Sequence, residues 1–151
     1  MASLLSPELL QNIGKTSPPR LELVTRKDIR KYAIATQQRE RRFLDGDEAP
    51  PMFYLALFWP VPENDQLSPD GVAIDPLLPE FPLKRAMAGG LKIDYHRAIH
   101  PGDVLQATRE LSAIYQKDGS SGTLIFYEIL MRVVNERGEP VVTEKTTRIL
   151  R

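Results

Sequence analysis

The sequence predicts an α+β domain built on an antiparallel sheet, and three observations carry that prediction. Helical patterns come first and β-rich patterns follow from Met87 onward, an order that fits α+β better than alternating α/β. The strand-like runs are joined by short turn-forming stretches, Pro101-Gly102, Asp118–Gly122 and Arg137-Gly138-Glu139, so successive strands run antiparallel. Met52–Trp59 is apolar on nearly every side, as in a helix buried all round.

The elements follow in order. Ser6-Pro7-Glu8 opens a short helix through about Ile13: serine caps, proline fits the first helical position and glutamate complements the dipole. Gly14 and Ser17-Pro18-Pro19 end it, and Leu21–Val24 is extended. Thr25 caps a second helix, with Asp28 three residues on, that runs to about Arg42 and puts Ile29, Tyr32, Ala33 and Thr36 on one face. Residues 60–86 form a long proline-rich loop, of a length that is usually functional or mobile. Leu91, Ile93 and Tyr95 then alternate with Lys92, Asp94 and His96, the period of a half-buried strand. Proline then glycine at 101–102 suits a type II turn. Val104–Lys117, Thr123–Asn135 and Val141–Leu150 complete the sheet. The chain is read as one domain, 1–151, with residues 1–24 as an N-terminal extension.

Composition excludes several functions. Twenty basic and twenty acidic side chains cancel, so no global field recruits nucleic acid or an anionic membrane. Without cysteine and with only His96 and His100 as histidines, no metal centre and no thiolate chemistry is expected. The N-terminus lacks a basic n-region and no run of 18 apolar residues occurs, so the expected location is the cytoplasm.

Four stretches resemble one family. Gly89–Asp103 (GGLKIDYHRAIHPGD) is similar to the strand and turn of MaoC-like hydratases and dehydratases, with Ala98 where that family usually has proline. Lys31–Thr36 resembles its Tyr-Ala-x-Ala-Thr helix, and Ala49–Phe53 its Ala-Pro-Pro-Thr-Phe segment in the N-terminal-domain branch. Val134–Val142 resembles its penultimate hairpin. The resemblance implies a hot-dog fold, an antiparallel sheet wrapped around a buried central helix, and reversible addition of water to a 2-enoyl thioester. No cofactor is implied beyond the acyl-CoA or acyl carrier protein thioester that serves as substrate.

That chemistry needs an acid–base pair and donors for the enolate oxygen. Pro50 and Pro51 have no N–H, so the donors would come from Met52 and Phe53, although Pro-Pro also simply starts a core helix. The pair is missing where the family keeps it: its Asp falls at Gln38 and its His near Phe43, and neither side chain exchanges a proton. The resemblance therefore implies a degenerate half that shapes the acyl pocket while a second hot-dog subunit supplies the dyad.

Other residues are weaker candidates. His96 is a candidate acid–base group by residue type but alternates onto the face of Lys92 and Asp94, where a structural or surface role explains it. Asp45, Asp47 and Glu48 are placed to replace the general base, and a solvated Asp-Gly turn explains them too. Arg39, Arg41 and Arg42 offer charge to coenzyme A phosphates, or complement a helix C-terminus. Gly89 and Gly90 let a ligand or backbone approach the sheet. Leu77 and Leu78, with Leu67, Val72, Ile74 and Phe81, are candidates for the wall of an acyl pocket. Alternatives to a hydratase subunit are a stand-alone hot-dog enzyme using Asp45, Glu48 or His96, and an acyl-thioester-binding module without chemistry.

Overall fold

The computed structural model describes residues 3–120 and 122–151; Met1 and Ala2 of the N-terminal stretch and Ser121 of the 118–122 turn lie outside the described residues. Five strands, β1 (Arg20–Leu23), β2 (Ala86–Tyr95), β3 (Val104–Gly119), β4 (Gly122–Val134) and β5 (Pro140–Leu150), form one sheet in the order β1-β3-β4-β5-β2, every neighbouring pair antiparallel. The helices are short: α1 (Pro7–Leu10), α2 (Arg26–Ala35), α3 (Arg41–Leu44) and α4 (Phe53–Leu57). Sheet and helices make the α+β, hot-dog arrangement that the sequence predicts. Among the described residues no helix is long and apolar enough to cross a membrane.

The caps are where the side chains require them. Ser6 Oγ accepts from the Leu9 N–H at 3.1 Å, and Thr25 Oγ1 from the Asp28 N–H at 3.1 Å. Gly102 adopts φ +93°, with the Asp103 N–H returning to the His100 carbonyl at 3.2 Å, as the predicted turn demands.

Two helical expectations are corrected. The helix from Thr25 ends at Ala35, not near Arg42. Gln37 turns left-handed at φ 56°, its N–H reaching the Ile34 carbonyl and that of Gln38 reaching Ala33. These paired bonds are a Schellman stop, and the chain restarts as α3 on another axis. The central helix is five residues long, and Trp59, expected inside, is 67% exposed. Phe53 and Tyr54 remain fully packed, which contributes about 1.5–3 kcal/mol for each large apolar group.

Two apolar clusters form the core. Phe53, Tyr54 and Phe58 of the α4 segment pack with Ile29, Leu105 and Val133. Leu9 of α1 and Leu77 and Phe81 of the proline-rich loop pack with Leu111, Ile125 and Tyr127. The short helix covers only part of the sheet, and the N-terminal segment and the loop cover the rest. The loop is held by Arg109, whose guanidinium binds the Asp75 carboxylate at 2.7 Å, and by Lys15 Nζ on the Pro76 carbonyl at 2.9 Å.

Candidate functional site

Two of the motif stretches meet at one place. The Ala49 N–H bonds the Ile99 carbonyl at 2.8 Å and the His96 N–H bonds the Val141 carbonyl at 2.9 Å. The segment before α4 is thereby laid against the end of β2. Between them opens a cleft of about 320 Å³, lined by Glu48, Pro50, Pro51, Tyr95, His96 and Arg97 among others.

Each charged group at this cleft has a partner. Glu48 pairs with Arg42 at 3.3 Å, and Arg97 with Glu139 at 3.1 Å. His96 Nε2 lies 3.0 Å from Thr143 Oγ1 on the neighbouring strand. The structure thus brings Glu48 and His96 to one cleft but leaves Asp45 out of it, bound to Arg41 and, through its carbonyl, to Arg26.

The helix start offers less than two donors. The Phe53 N–H is bonded to the Pro50 carbonyl at 2.9 Å. Among the described residues the Met52 N–H has no backbone acceptor, and Met52 is partly exposed. At the dyad positions, the Gln38 amide donates to Thr36 Oγ1 at 3.3 Å. Phe43 is buried beneath the Arg42 guanidinium, 4.6 Å from its ring centroid.

The remaining candidates lie elsewhere. Gly89 and Gly90 sit at a bulge where β2 slips against β5. A Cβ on Gly89 would stand 2.9 Å from Ile149 Cγ1, whereas one on Gly90 would meet nothing within 4 Å. Gly89 is therefore explained by the close approach of β5 itself, and Gly90 faces open space. Leu77, 2% exposed, is packed in the second cluster with Leu78 against it, while Val72 and Ile74 are exposed.

Sequence reasoning missed a buried polar pair beside this cleft. The Tyr54 hydroxyl of α4 donates to the Glu144 carboxylate of β5, and Thr146 Oγ1 donates to its other oxygen at 2.8 Å. Burial above all, then the bond to Glu144 and its charge, pushes the Tyr54 phenol well above its ordinary range. The ring of Tyr95, which lines the cleft, lies edge-on to Tyr54 at 6.4 Å, and burial raises its phenol too. One signal existed: Glu144 alternates in phase with Val142 and Leu150, an acid at a core-facing position.

Comparison with known proteins places this arrangement. Residues 11–144 match the family described as FAS1-like, dehydratase domain region. No curated protein matches the sequence. Among solved structures, the ChsH1–ChsH2 complex from Mycobacterium tuberculosis is similar over 95% of this chain and 86% of its own, at 16% identity and TM-score 0.70. A MaoC-like dehydratase from Rhodospirillum rubrum is similar over 91% of each chain, at 15% identity and TM-score 0.58. The C-terminally truncated HadBC (3R-hydroxyacyl-ACP dehydratase) complex from Mycobacterium tuberculosis is similar over 91% of this chain and 96% of its own, at 18% identity and TM-score 0.57. At such identities the structural likeness speaks for the fold, that of the hot-dog proteins, and the family match for kinship: the chain belongs to the family described as FAS1-like, dehydratase domain region.

Proposed function

We propose that this chain is the substrate-shaping subunit of an enoyl-thioester hydratase or 3-hydroxyacyl-thioester dehydratase, and that a second hot-dog chain supplies the Asp/His pair. In that reaction water adds its oxygen to C3 of the enoyl thioester and a proton enters at C2. A base near neutral pH and donors for the enolate oxygen are required.

The observation that carries this reading is the contrast between the two requirements. The Pro50-Pro51 and Tyr95–Ile99 stretches form a cleft beside a helix start whose Met52 N–H faces no backbone acceptor. At the dyad positions stand an amide bonded to its own helix end and a phenylalanine in the core. A site with a cleft and without its proton carriers is half a site. β2 offers the place for the other half: it is an edge strand, exposed along nearly its whole length on both faces, and such edges pair with other strands. Two of the similar structures are complexes, ChsH1–ChsH2 and HadBC, which supports a heteromeric arrangement here.

A well-placed acid–base group contributes about 10²–10⁴ in rate, so the purified chain alone should show almost no hydration of crotonyl-CoA. Adding the partner should bring turnover that depends on the partner's histidine and survives His96→Ala here. Since Glu48 and His96 share the cleft, the competing reading is a stand-alone enzyme using those two groups. Ordinary turnover by the isolated chain, abolished by His96→Ala, would establish that reading and overturn ours.

A further inference from the structure

The chain's charges balance overall but not locally. Between residues 26 and 42 stand Arg26, Lys27, Arg30, Lys31, Arg39, Arg41 and Arg42 against only Asp28 and Glu40. The α3 end of this segment is largely neutralised within the fold, Arg41 by Asp45 and Arg42 by Glu40 and Glu48. The α2 end is not. Arg26 pairs with Asp47, but the Arg30 guanidinium rests on the neutral Leu44 carbonyl at 3.1 Å. Among the described residues Lys27, Arg30 and Lys31 have no carboxylate partner within ion-pair distance.

Helix geometry collects these charges on one side. Ile29 and Ala33 of α2 are buried, and Tyr32 packs edge-on against Phe53 at 5.7 Å. The opposite face carries Lys27, Arg30, Lys31 and Ile34, spaced as neighbours on a helix surface. An open groove of about 460 Å³ runs along it, lined by Arg26, Lys27, Arg30, Lys31 and Ile34, and Ile34 is 60% exposed at its end. From Lys27 to Ile34 the row is about 10 Å long at 1.5 Å per residue.

The shape of the charge selects the occupant. A single phosphate is gripped by donors that converge, backbone N–H groups among them. Here the cations are strung along a line, and an apolar side chain, Ile34, closes one end. That matches an extended acidic surface with an apolar residue on it, such as one face of an amphipathic acidic helix.

We propose that the exposed face of α2 docks an acidic protein that carries the acyl thioester on a phosphopantetheine arm, so that the substrate arrives on a carrier protein. This rests on the acyl-thioester reading above. The docked carrier would sit across α2 from Phe53, with the helix α2 between it and the start of α4.

The test measures binding to the full chain by titration calorimetry at low salt, with crotonyl-loaded acyl carrier protein, the same carrier without an acyl group, and crotonyl-CoA as probes. Lys27→Glu/Lys31→Glu, both positions exposed, should weaken both carrier probes at least about tenfold. Added salt should weaken them as well. Crotonyl-CoA binding and the melting temperature should not change. Carrier binding unaffected by the double variant overturns the proposal, as does the absence of carrier binding. Equal loss of crotonyl-CoA also overturns it, because the cations would then hold nucleotide phosphates. If the carrier without acyl group binds through Lys27 and Lys31 while no acyl thioester adds affinity, the docking surface stands and the acyl-thioester reading falls.

Discussion

The hydroxyl of Tyr54 and the carboxylate of Glu144 are bonded to each other 90 residues apart in the chain, and they join the central helix to the sheet. Glu144, 7% exposed, is the one buried charged side chain among the described residues, and no cation faces it. Its solvation comes from two hydroxyls, those of Tyr54 and Thr146.

A buried acid satisfied this way is costly to leave half-satisfied. Tyr54→Phe should destabilise the chain by about 1–3 kcal/mol, the penalty for removing a donor from a buried group. Glu144→Leu removes the acid as well, so the double variant should lose less than the two single losses added together. Urea midpoints for the four proteins measure this. Strict additivity would show that the bond carries no coupling.

All five tyrosines, Tyr32, Tyr54, Tyr95, Tyr115 and Tyr127, have phenols raised above their ordinary value, in each case chiefly by burial. A raised pKa means that the folded chain holds the proton more tightly than the unfolded one. The associated stability is therefore complete below about pH 10 and is lost as pH rises beyond it. Alkaline titration followed by tyrosinate absorbance should show Tyr54 ionising only together with loss of the near-ultraviolet circular dichroism. Complete tyrosinate formation in a chain that stays folded would contradict this.

Leu91 stands on the open strand β2, 52% exposed. Leu91→Glu should change the stability of the isolated chain by no more than about 0.5 kcal/mol. The same change should weaken assembly through β2 at least about tenfold, because it buries a charge at a strand-pairing edge. Sedimentation at several concentrations separates the two effects. An unchanged association constant would place the interface elsewhere.

The fold was legible where local chemistry and tertiary packing agree. Ser6 and Thr25 cap and Pro101-Gly102 turns, because each depends on residues within a few positions. The half-buried face expected of Leu91, Ile93 and Tyr95 is not found: β2 is an edge strand on which only Ile93 is partly covered, because alternation does not reveal which strand lies at the edge. The end of α2 was not legible. A Schellman stop is signalled by glycine at the left-handed position, and here that position is Gln37. Gln37→Gly should therefore stabilise the chain, by about 1 kcal/mol, from relief of the left-handed penalty; a loss on thermal unfolding would refute it. In the site, Glu48 and His96 were named from the sequence, but their meeting depends on β2 and the α4 approach being laid together. The Tyr54–Glu144 bond depends on register between elements 90 residues apart, which no local pattern encodes.

The loop from Trp59 to Leu83 is fastened unequally. Its later part is held by Leu77 and Phe81 in the second cluster, by Lys15 on the Pro76 carbonyl and by the Arg109–Asp75 pair. Between Val61 and Ile74 the chain has one 3-10 turn at Asn64–Gln66 and one isolated bridge, Leu67 to Ala73, and its large apolar side chains Val61, Val72 and Ile74 point into water. A protease samples such a segment through local opening, without waiting for the sheet to come apart. Cleavage there would leave two fragments still held together, the first ending beyond α4 and the second carrying four of the five strands.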